Sequence, residues 1–207
     1  MMLKFGKKLN YRPLLISAAI GLIPGLAAND IFASPAAGFT GFAIFFLFIF
    51  LGYYLFNVSI LFNYWEVDQD QIRYTNMNSY LHRIVMMFLP MTVKHLTKIN
   101  FQDVASLTVQ GTYDKPKGMP FALPFTPYMG ILFPILSIAH NPLDVTIKLK
   151  NGQSVQLSMA RDYIYNSAAT FKKLDQLMEI AKKNSIPVHN RMRNISDKSD
   201  KMTVETW

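Results

Sequence analysis

Cysteine is absent from the 207 residues, which removes thiolate catalysis, zinc–thiolate sites, iron–sulfur clusters and disulfides together. Charge is scarce as well. Asp, Glu, Lys and Arg make up 16% of the chain, against about 25% in soluble domains. Two stretches, Pro13–Asn29 and Ile31–Trp65, carry no formal charge at all. Nucleotide and hydrolase signatures are missing too: no Walker-A loop, Gly-x-Gly-x-x-Gly, Gly-x-Ser-x-Gly or His-Glu-x-x-His occurs. What is abundant is apolar, at 51% of residues with 16 Phe, 10 Tyr and 12 Met. That excludes intrinsic disorder for most of the chain, because disorder needs low hydrophobicity and high charge.

A helix must offer about 20 mostly apolar residues to cross the bilayer core. Ile31–Trp65 passes this test, with a span expected over Phe39–Leu61. Pro13–Asn29 is marginal, since Gly21, Pro24 and Gly25 weaken a helix, and it must borrow Tyr11 and Ile31–Phe32. Asn29-Asp30 and Ser34-Pro35 supply a polar break between them, so a transmembrane helical hairpin over residues 13–63 is the economical reading. A cleaved signal peptide would share the basic start and apolar core, but a second and stronger span follows directly. Lys4, Lys7, Lys8 and Arg12 precede the first span, the connecting turn has no basic residue, and Arg73 and Arg83 follow the second. This bias predicts a multi-pass cell-membrane protein with both termini cytoplasmic.

Within the hairpin, Gly21 and Gly25 form a small-xxx-small pair that permits close helix approach. With Pro24 between them, packing of span one on span two is favoured over a dimer motif. Tyr53, Tyr54, Tyr64 and Trp65 have the composition of interfacial aromatic anchors. Neither apolar core contains an acid, Lys or Arg, so a proton relay lacks its usual parts.

After Asn63 the period changes. Tyr64–Val67 and Gln71–Thr75 flank the polar Asp68-Gln69-Asp70, a strand–turn–strand pattern. Leu81–Phe88 reads as a buried strand or an interfacial segment. His95–Phe101 and Val104–Gln110 surround Gln102-Asp103, and Val145–Lys150 and Ser154–Ser158 surround Asn151-Gly152. Asn-Gly between alternating runs predicts a type I′ turn with φ > 0 at both residues. Asn166 or Ser167 can cap a helix whose apolar stripe is Phe171, Leu174, Leu177, Met178 and Ala181. Pro187 ends it, and His189–Trp207 is expected to be a mobile polar tail.

This order resembles the bacterial pleckstrin-homology-like (PH-like) membrane proteins. The matching pieces are YWEVDQDQIRYTN at 64–76, KINFQDVASLTVQ at 98–110, VTIKLKNGQSVQL at 145–157 and the helix after Asn166. Within that group the chain is most similar to the EbsA-like proteins of Gram-positive bacteria, some of which carry a pore-forming label. The resemblance implies an α+β membrane protein: a basic N-terminus (1–12), a two-helix hairpin (13–63), and a PH-like antiparallel sheet unit closed by a C-terminal amphipathic helix (64–188). The sequence departs from the pattern in its long insertion between Gln110 and Val145.

Gly118–Leu143 has no formal charge but contains Pro120, Pro124, Pro127, Pro134 and Pro142, which oppose a continuous helix. Gly130–Ala139 has the length of a re-entrant or interfacial segment. Ile131, Leu132 and Phe133 would supply its membrane contact, as would Trp65 at the end of the hairpin. The competing reading is a loop folded over its own sheet. A third span would place the C-terminal helix outside, which its lysines disfavour.

The balance of 21 Lys+Arg against 13 Asp+Glu gives +8, which suits an anionic partner. Lys172, Lys173, Lys182 and Lys183 lack interleaved aromatics, so nucleic acid is not expected. Lys4, Lys7, Lys8 and Arg12 fit the anionic inner leaflet. The four histidines show no metal-ligand spacing, and Glu66, Asp68 and Asp70 lie on a turn rather than in a cleft. No cofactor, metal or catalytic residue is expected. The chain reads as a non-enzymatic membrane protein presenting a PH-like binding or scaffold unit, with a homo-oligomer or protein partner open. The alternative is an oligomeric pore or channel component.

Overall fold

The structure, a computed structural model, describes residues 2–90, 96–112 and 129–193, with backbone alone for 129–132. The chain is α+β and divides into two units. One comprises Met1–Lys7, Asn63–Thr75 and Thr97–Trp207; the other comprises Lys8–Phe62 and Asn76–Leu96.

The first unit holds two four-stranded sheets. In one, β1 (Leu3–Gly6), β2 (Tyr64–Val67), β3 (Gln71–Tyr74) and β4 (Thr97–Asn100) follow one another as antiparallel neighbours. A single 3-10 turn, Phe101–Asp103, leads into the other sheet. There β5 (Val104–Thr112), β6 (Asp144–Leu149) and β7 (Ser154–Ser158) form an antiparallel meander, and β8 (Val188–Arg193) pairs parallel to β5. Alternation explains the core. Leu3, Phe5, Trp65, Val67, Ile72 and Ile99 from the first sheet meet Leu107, Val109, Val145, Ile147 and Leu157 from the second. The short α6 (Ala160–Tyr165) and the long α7 (Ser167–Lys183) close over them with Tyr163, Leu174, Leu177 and Ala181. Asn166 caps α7 by accepting from the Ala169 N–H at 3.0 Å, and Phe171 and Met178 pack at the edge of the core, as the stripe predicts.

The strand ends sort by polarity. At one end the connections are tight and polar: Asp68–Asp70, Phe101–Asp103 and Lys150–Gln153. At the other end the chain departs from Gly6 and returns at Tyr64, and departs from Tyr74 and returns at Thr97, across directly paired residues. The excursion between β5 and β6 leaves from that end too, and its last element is α5 (Met129–His140).

The second unit is helical. α1 (Arg12–Phe32) and a continuous helix over Pro35–Leu61 form an antiparallel pair, turning at Ala33, which adopts φ 44°. Ser34 caps the second helix, so the break falls at Ala33-Ser34 and Asn29-Asp30 stays helical. That helix comprises α2 (Pro35–Leu47), a π-helical stretch Phe48–Tyr54 and α3 (Leu55–Leu61). The remaining element, α4 (Tyr80–Phe88), packs against α3 and α1.

Four expectations are corrected. Residues 1–12 are not a free basic segment, because Leu3–Gly6 is a sheet strand. Leu81–Phe88 is helix, which excludes the buried strand of its two readings and leaves the interfacial segment. Residues 188–193 of the expected tail form β8, while 194–207 lie outside the described residues. The sheet unit therefore begins at β1 and excludes 76–96, which belong to the helical unit. Residues 118–128 of the apolar insertion and His95 also lie outside the described residues.

Two glycines carry the sheet connections. At the β6–β7 turn only Gly152 is left-handed (φ +86°), and Asn151 is absent from the positive-φ residues, so the turn is not type I′. The Gly152 N–H donates to the Leu149 carbonyl and the Asn151 side chain accepts from the Gln153 N–H, which makes a three-residue loop with a left-handed last residue. A Cβ at Gly152 meets nothing within 4 Å, so Gly152→Val should cost only the backbone term of about 1–2 kcal/mol. Gly6 (φ +72°) is stricter, since a Cβ there would lie 1.6 Å from the Asn63 carbonyl oxygen. Thermal unfolding of the purified full chain in detergent should rank Gly6→Ala as most destabilised, then Gly152→Val, then Gly152→Asn. Equal stability of Gly6→Ala and the parent would mean that β1 does not pair with β2 as described.

Candidate functional site

Among the described residues two helices, Arg12–Phe32 and Pro35–Leu61, are long and apolar enough to cross a bilayer. Only 17% and 22% of their most apolar windows are buried, which distinguishes them from core helices of a soluble domain. Leu22, Ile23, Leu26, Phe39, Ile44, Phe45 and Phe48 are among the large side chains left exposed.

The helices meet through small residues. On α1 the buried positions are Pro13, Ser17, Gly21 and Gly25, one every fourth residue, which lines up a single face. A Cβ on Gly21 would touch the Phe42 carbonyl and Phe46 nitrogen at 3.1 Å, and one on Gly25 would lie 2.9 Å from the Phe42 Cβ. Gly38 reciprocates, with its Cβ position 3.1 Å from the Gly25 carbonyl. Gly21 and Gly25 therefore pack within the chain, which is the reading the sequence favoured. The Ser17 hydroxyl on the same face is buried without a hydrogen-bond partner.

Arg12, exposed at the start of α1, lies in electrostatic range of Tyr53 and Tyr54. The antiparallel register that sets Gly25 against Phe42 and Gly21 against Phe46 carries the first turn of α1 toward the end of the π-helical stretch. Lys8 is exposed, and the half-buried Lys7 donates its backbone N–H to Asn63 at 3.2 Å. On α4, Met86 and Met87 are buried while Leu81, Val85, Phe88 and Leu89, just after it, are exposed. The Phe88 and Phe50 rings lie 4.6 Å apart.

In the sheet unit the expected anchor Trp65 is corrected. It is 0% exposed, stacks on Phe5 at 4.1 Å and donates from Nε1 to the Ser158 carbonyl at 3.0 Å. Its neighbour Tyr64 is buried too. The Tyr64 hydroxyl donates to Glu66 at 2.6 Å, and burial followed by that bond pushes its pKa well above the usual range. Glu66, buried itself, takes the Arg73 guanidinium at 3.2 Å, and Arg73 also reaches Asp68 at 3.5 Å. Register puts Lys4, Glu66, Arg73 and Lys98 in one cross-strand row, three cations around one buried carboxylate. Lys4 thus stands in a strand rather than a free N-terminal arm. Two contacts hold that strand: Asp162 on α6 accepts from the Gly6 N–H at 2.6 Å, and Lys173 on α7 donates to the Lys4 carbonyl at 2.8 Å. Neither residue was singled out for this role from sequence, because nothing in their neighbourhood signals a partner at the far end of the chain.

Of the insertion residues, Phe133 is half-buried on α5, and the side chains of Ile131 and Leu132 lie outside those described. Further along α5, Ile138 is buried and Leu136 exposed. The described histidines are distributed over α4 (His82), α5 (His140) and β8 (His189), and no group able to hold a metal ion occurs among the described residues. No family model, curated protein or solved structure matches the chain.

The packing stripe generates a pair of opposite expectations. Gly25→Leu must displace Phe42 or Gly38 and should lower the unfolding midpoint of the full chain in detergent. Ser17→Ala removes a buried hydroxyl whose unsatisfied burial costs about 1–3 kcal/mol, so it should leave the midpoint unchanged or raise it. A Gly25→Leu protein as stable as the parent would show that α1 and α2 do not meet through this face.

Proposed function

We propose that this is an integral membrane protein whose helical hairpin crosses the bilayer twice and presents the two-sheet unit at the cytoplasmic face as a non-enzymatic binding or scaffold module. One observation carries the reading: β1 and β2 are paired neighbours, and the hairpin is inserted between Gly6 and Tyr64. Both ends of the hairpin must therefore emerge on the side where the sheet unit folds, which requires an even number of crossings. The length of α1, 21 residues, corresponds to about 31 Å at 1.5 Å per residue, close to the roughly 30 Å hydrocarbon core. Basic residues supply the orientation. Lys4, Lys7, Lys8 and Arg12 lie before the first span and Arg73 and Arg83 after the second, while the Ala33-Ser34 turn has none.

A PH-like assignment draws support from the element order: a four-stranded meander, a three-stranded meander and a closing helix. The parallel β8 is an addition to that plan. The resemblance to EbsA-like proteins rests on the same order and on the sequence pieces already quoted. The non-enzymatic reading rests on the lack of a nucleotide or hydrolase signature in the sequence. The pore alternative has less behind it, because the Gly21/Gly25 pair that would join subunits is covered within the chain.

Topology tests this directly. A reporter fused after Trp207 should behave as cytoplasmic, and Ala36→Cys, beside the hairpin turn and clear of the Ser34 cap, should label with an impermeant thiol reagent from outside intact cells. A C-terminus reachable only from outside would overturn the two-crossing reading. Purified protein in planar bilayers should pass no reproducible current; a reproducible conductance with a defined oligomer would favour the pore.

A further inference from the structure

α4 is apolar on two opposite sides. Met86 and Met87, 1% and 0% exposed, point one way, and Leu81 (76%), Val85 (52%) and Leu89 (54%) continue each other at every fourth residue on the other. Phe88 joins the exposed row. A surface helix of a soluble protein turns its polar side to water, and α4 turns its apolar row outward instead. Its polar residues gather in the first turn. There Arg83 donates from Nε to the Met77 carbonyl and holds its guanidinium 5.1 Å from the centre of the Tyr80 ring. With nine residues, α4 is about 14 Å long and too short to cross a bilayer.

The helical unit itself sets the depth. Phe88 meets Phe50, which lies about one helical turn, roughly 5 Å, from Tyr54. The register that sets Gly25 against Phe42 and Gly21 against Phe46 brings the start of the antiparallel α1 toward Tyr54. On the two-crossing reading Arg12 marks the cytoplasmic boundary of the hydrocarbon, so the end of α4 lies about 5 Å inside it. Amphipathic helices that lie in the interface bury their apolar face about 5–10 Å deep. α4 packs against α3, on which Phe56 and Ile60 are exposed as well.

We propose that α4 is an interfacial membrane helix: the polar groups of Tyr80, His82 and Arg83 sit among the headgroups of the cytoplasmic leaflet, and Leu81, Val85, Phe88 and Leu89 lie among lipid acyl chains. The proposal rests on the reading of the hairpin as membrane-spanning. It gives the protein a third membrane contact, placed between β3 and β4, so that the first sheet is tied to the bilayer by both of its long connections.

Because the chain has no cysteine, single nitroxide labels can be placed without removing anything. The full chain is reconstituted into phosphatidylcholine–phosphatidylglycerol vesicles with a label at Leu81→Cys, Val85→Cys, Leu22→Cys or Gln102→Cys. Relaxation by oxygen and by a water-soluble nickel chelate is then compared at each position. Leu22 reports the hairpin and Gln102 a polar sheet turn. The expected result is an oxygen-to-chelate ratio several-fold above that of Gln102 at Leu81 and Val85, approaching that of Leu22. Water-like ratios at 81 and 85 with a lipid-like ratio at 22 would overturn the α4 proposal and leave the hairpin intact. Low accessibility to both reagents at 81 and 85 would overturn it as well, since protein would then cover the row. A water-like ratio at 22 would remove the hairpin reading and α4 with it.

Discussion

The pairing of β1 with β2 is the constraint on which the rest of the architecture depends. Four residues at the start of the chain complete a sheet whose other strands come from beyond the hairpin. Closing residues 7–63 as a flexible loop would carry an entropic cost that grows with loop length. The hairpin removes most of that cost, because two packed antiparallel helices already bring their free ends together. Close approach at Gly21, Gly25 and Gly38 is therefore coupled to the sheet through the chain: a hairpin that splays cannot return Asn63 to Gly6. The closure is then secured from the other terminus. β1 is an edge strand, and edges expose backbone groups that invite mispairing. Asp162 and Lys173 occupy two of those groups, the Gly6 N–H and the Lys4 carbonyl. These two bonds tie the first strand to α6 and α7 as well as to β2.

Legibility in the sequence followed the range of the interactions. β2, β3, β6, β7 and the stripe of α7 are specified by neighbours a few residues away, and alternation or a three-and-four spacing exposes them. β1 has no such neighbour. Leu3-Lys4-Phe5-Gly6 is a short alternating run with its partner far along the chain, and the lysines around it read as a topology signal. β8 is hidden differently: it is an edge strand with exposed His189, Arg191 and Arg193, so its composition matches that of a solvated tail. Trp65 was misread because a tryptophan directly after an apolar span has the composition of an interfacial anchor. Only the tertiary fact that β2 is covered on both sides distinguishes the two. α4 escaped because an apolar helix of nine residues and a buried strand of the same length have the same composition.

Polarity of the strand ends ties these pieces into one design. A short antiparallel sheet needs only tight turns, and one end of this unit has them, rich in Asp, Asn and Gln. The other end gives rise to the long apolar excursions. An arrangement of this kind cannot arise from strand propensity, since the two ends of a meander are equivalent in that respect. On the proposed membrane-spanning reading it reflects a difference in what each end must meet, water on one side and the bilayer on the other. The helix over Pro35–Leu61 carries no charged residue, and on α1 the charges Arg12 and Asp30 are confined to the first and last turns.

The positive balance of the chain has to be read after the structural uses of its cations are counted. Lys173 holds β1 by a backbone carbonyl and lies 5.4 Å from the centre of the Phe5 ring. Arg73 neutralises the buried Glu66, and a carboxylate left buried there without it would be strongly destabilising. Lys4 and Lys98 flank that pair in the same cross-strand row. Arg83 is engaged with Tyr80 and the Met77 carbonyl. A share of the +8 therefore serves the fold itself. Arg12 is the cation that bears most directly on the proposed crossing: it is exposed, and it opens a helix of bilayer length. On the proposed two-crossing reading, a cation there favours the anionic cytoplasmic leaflet and resists being drawn through the core, so it bears on the hairpin's depth as well as its direction.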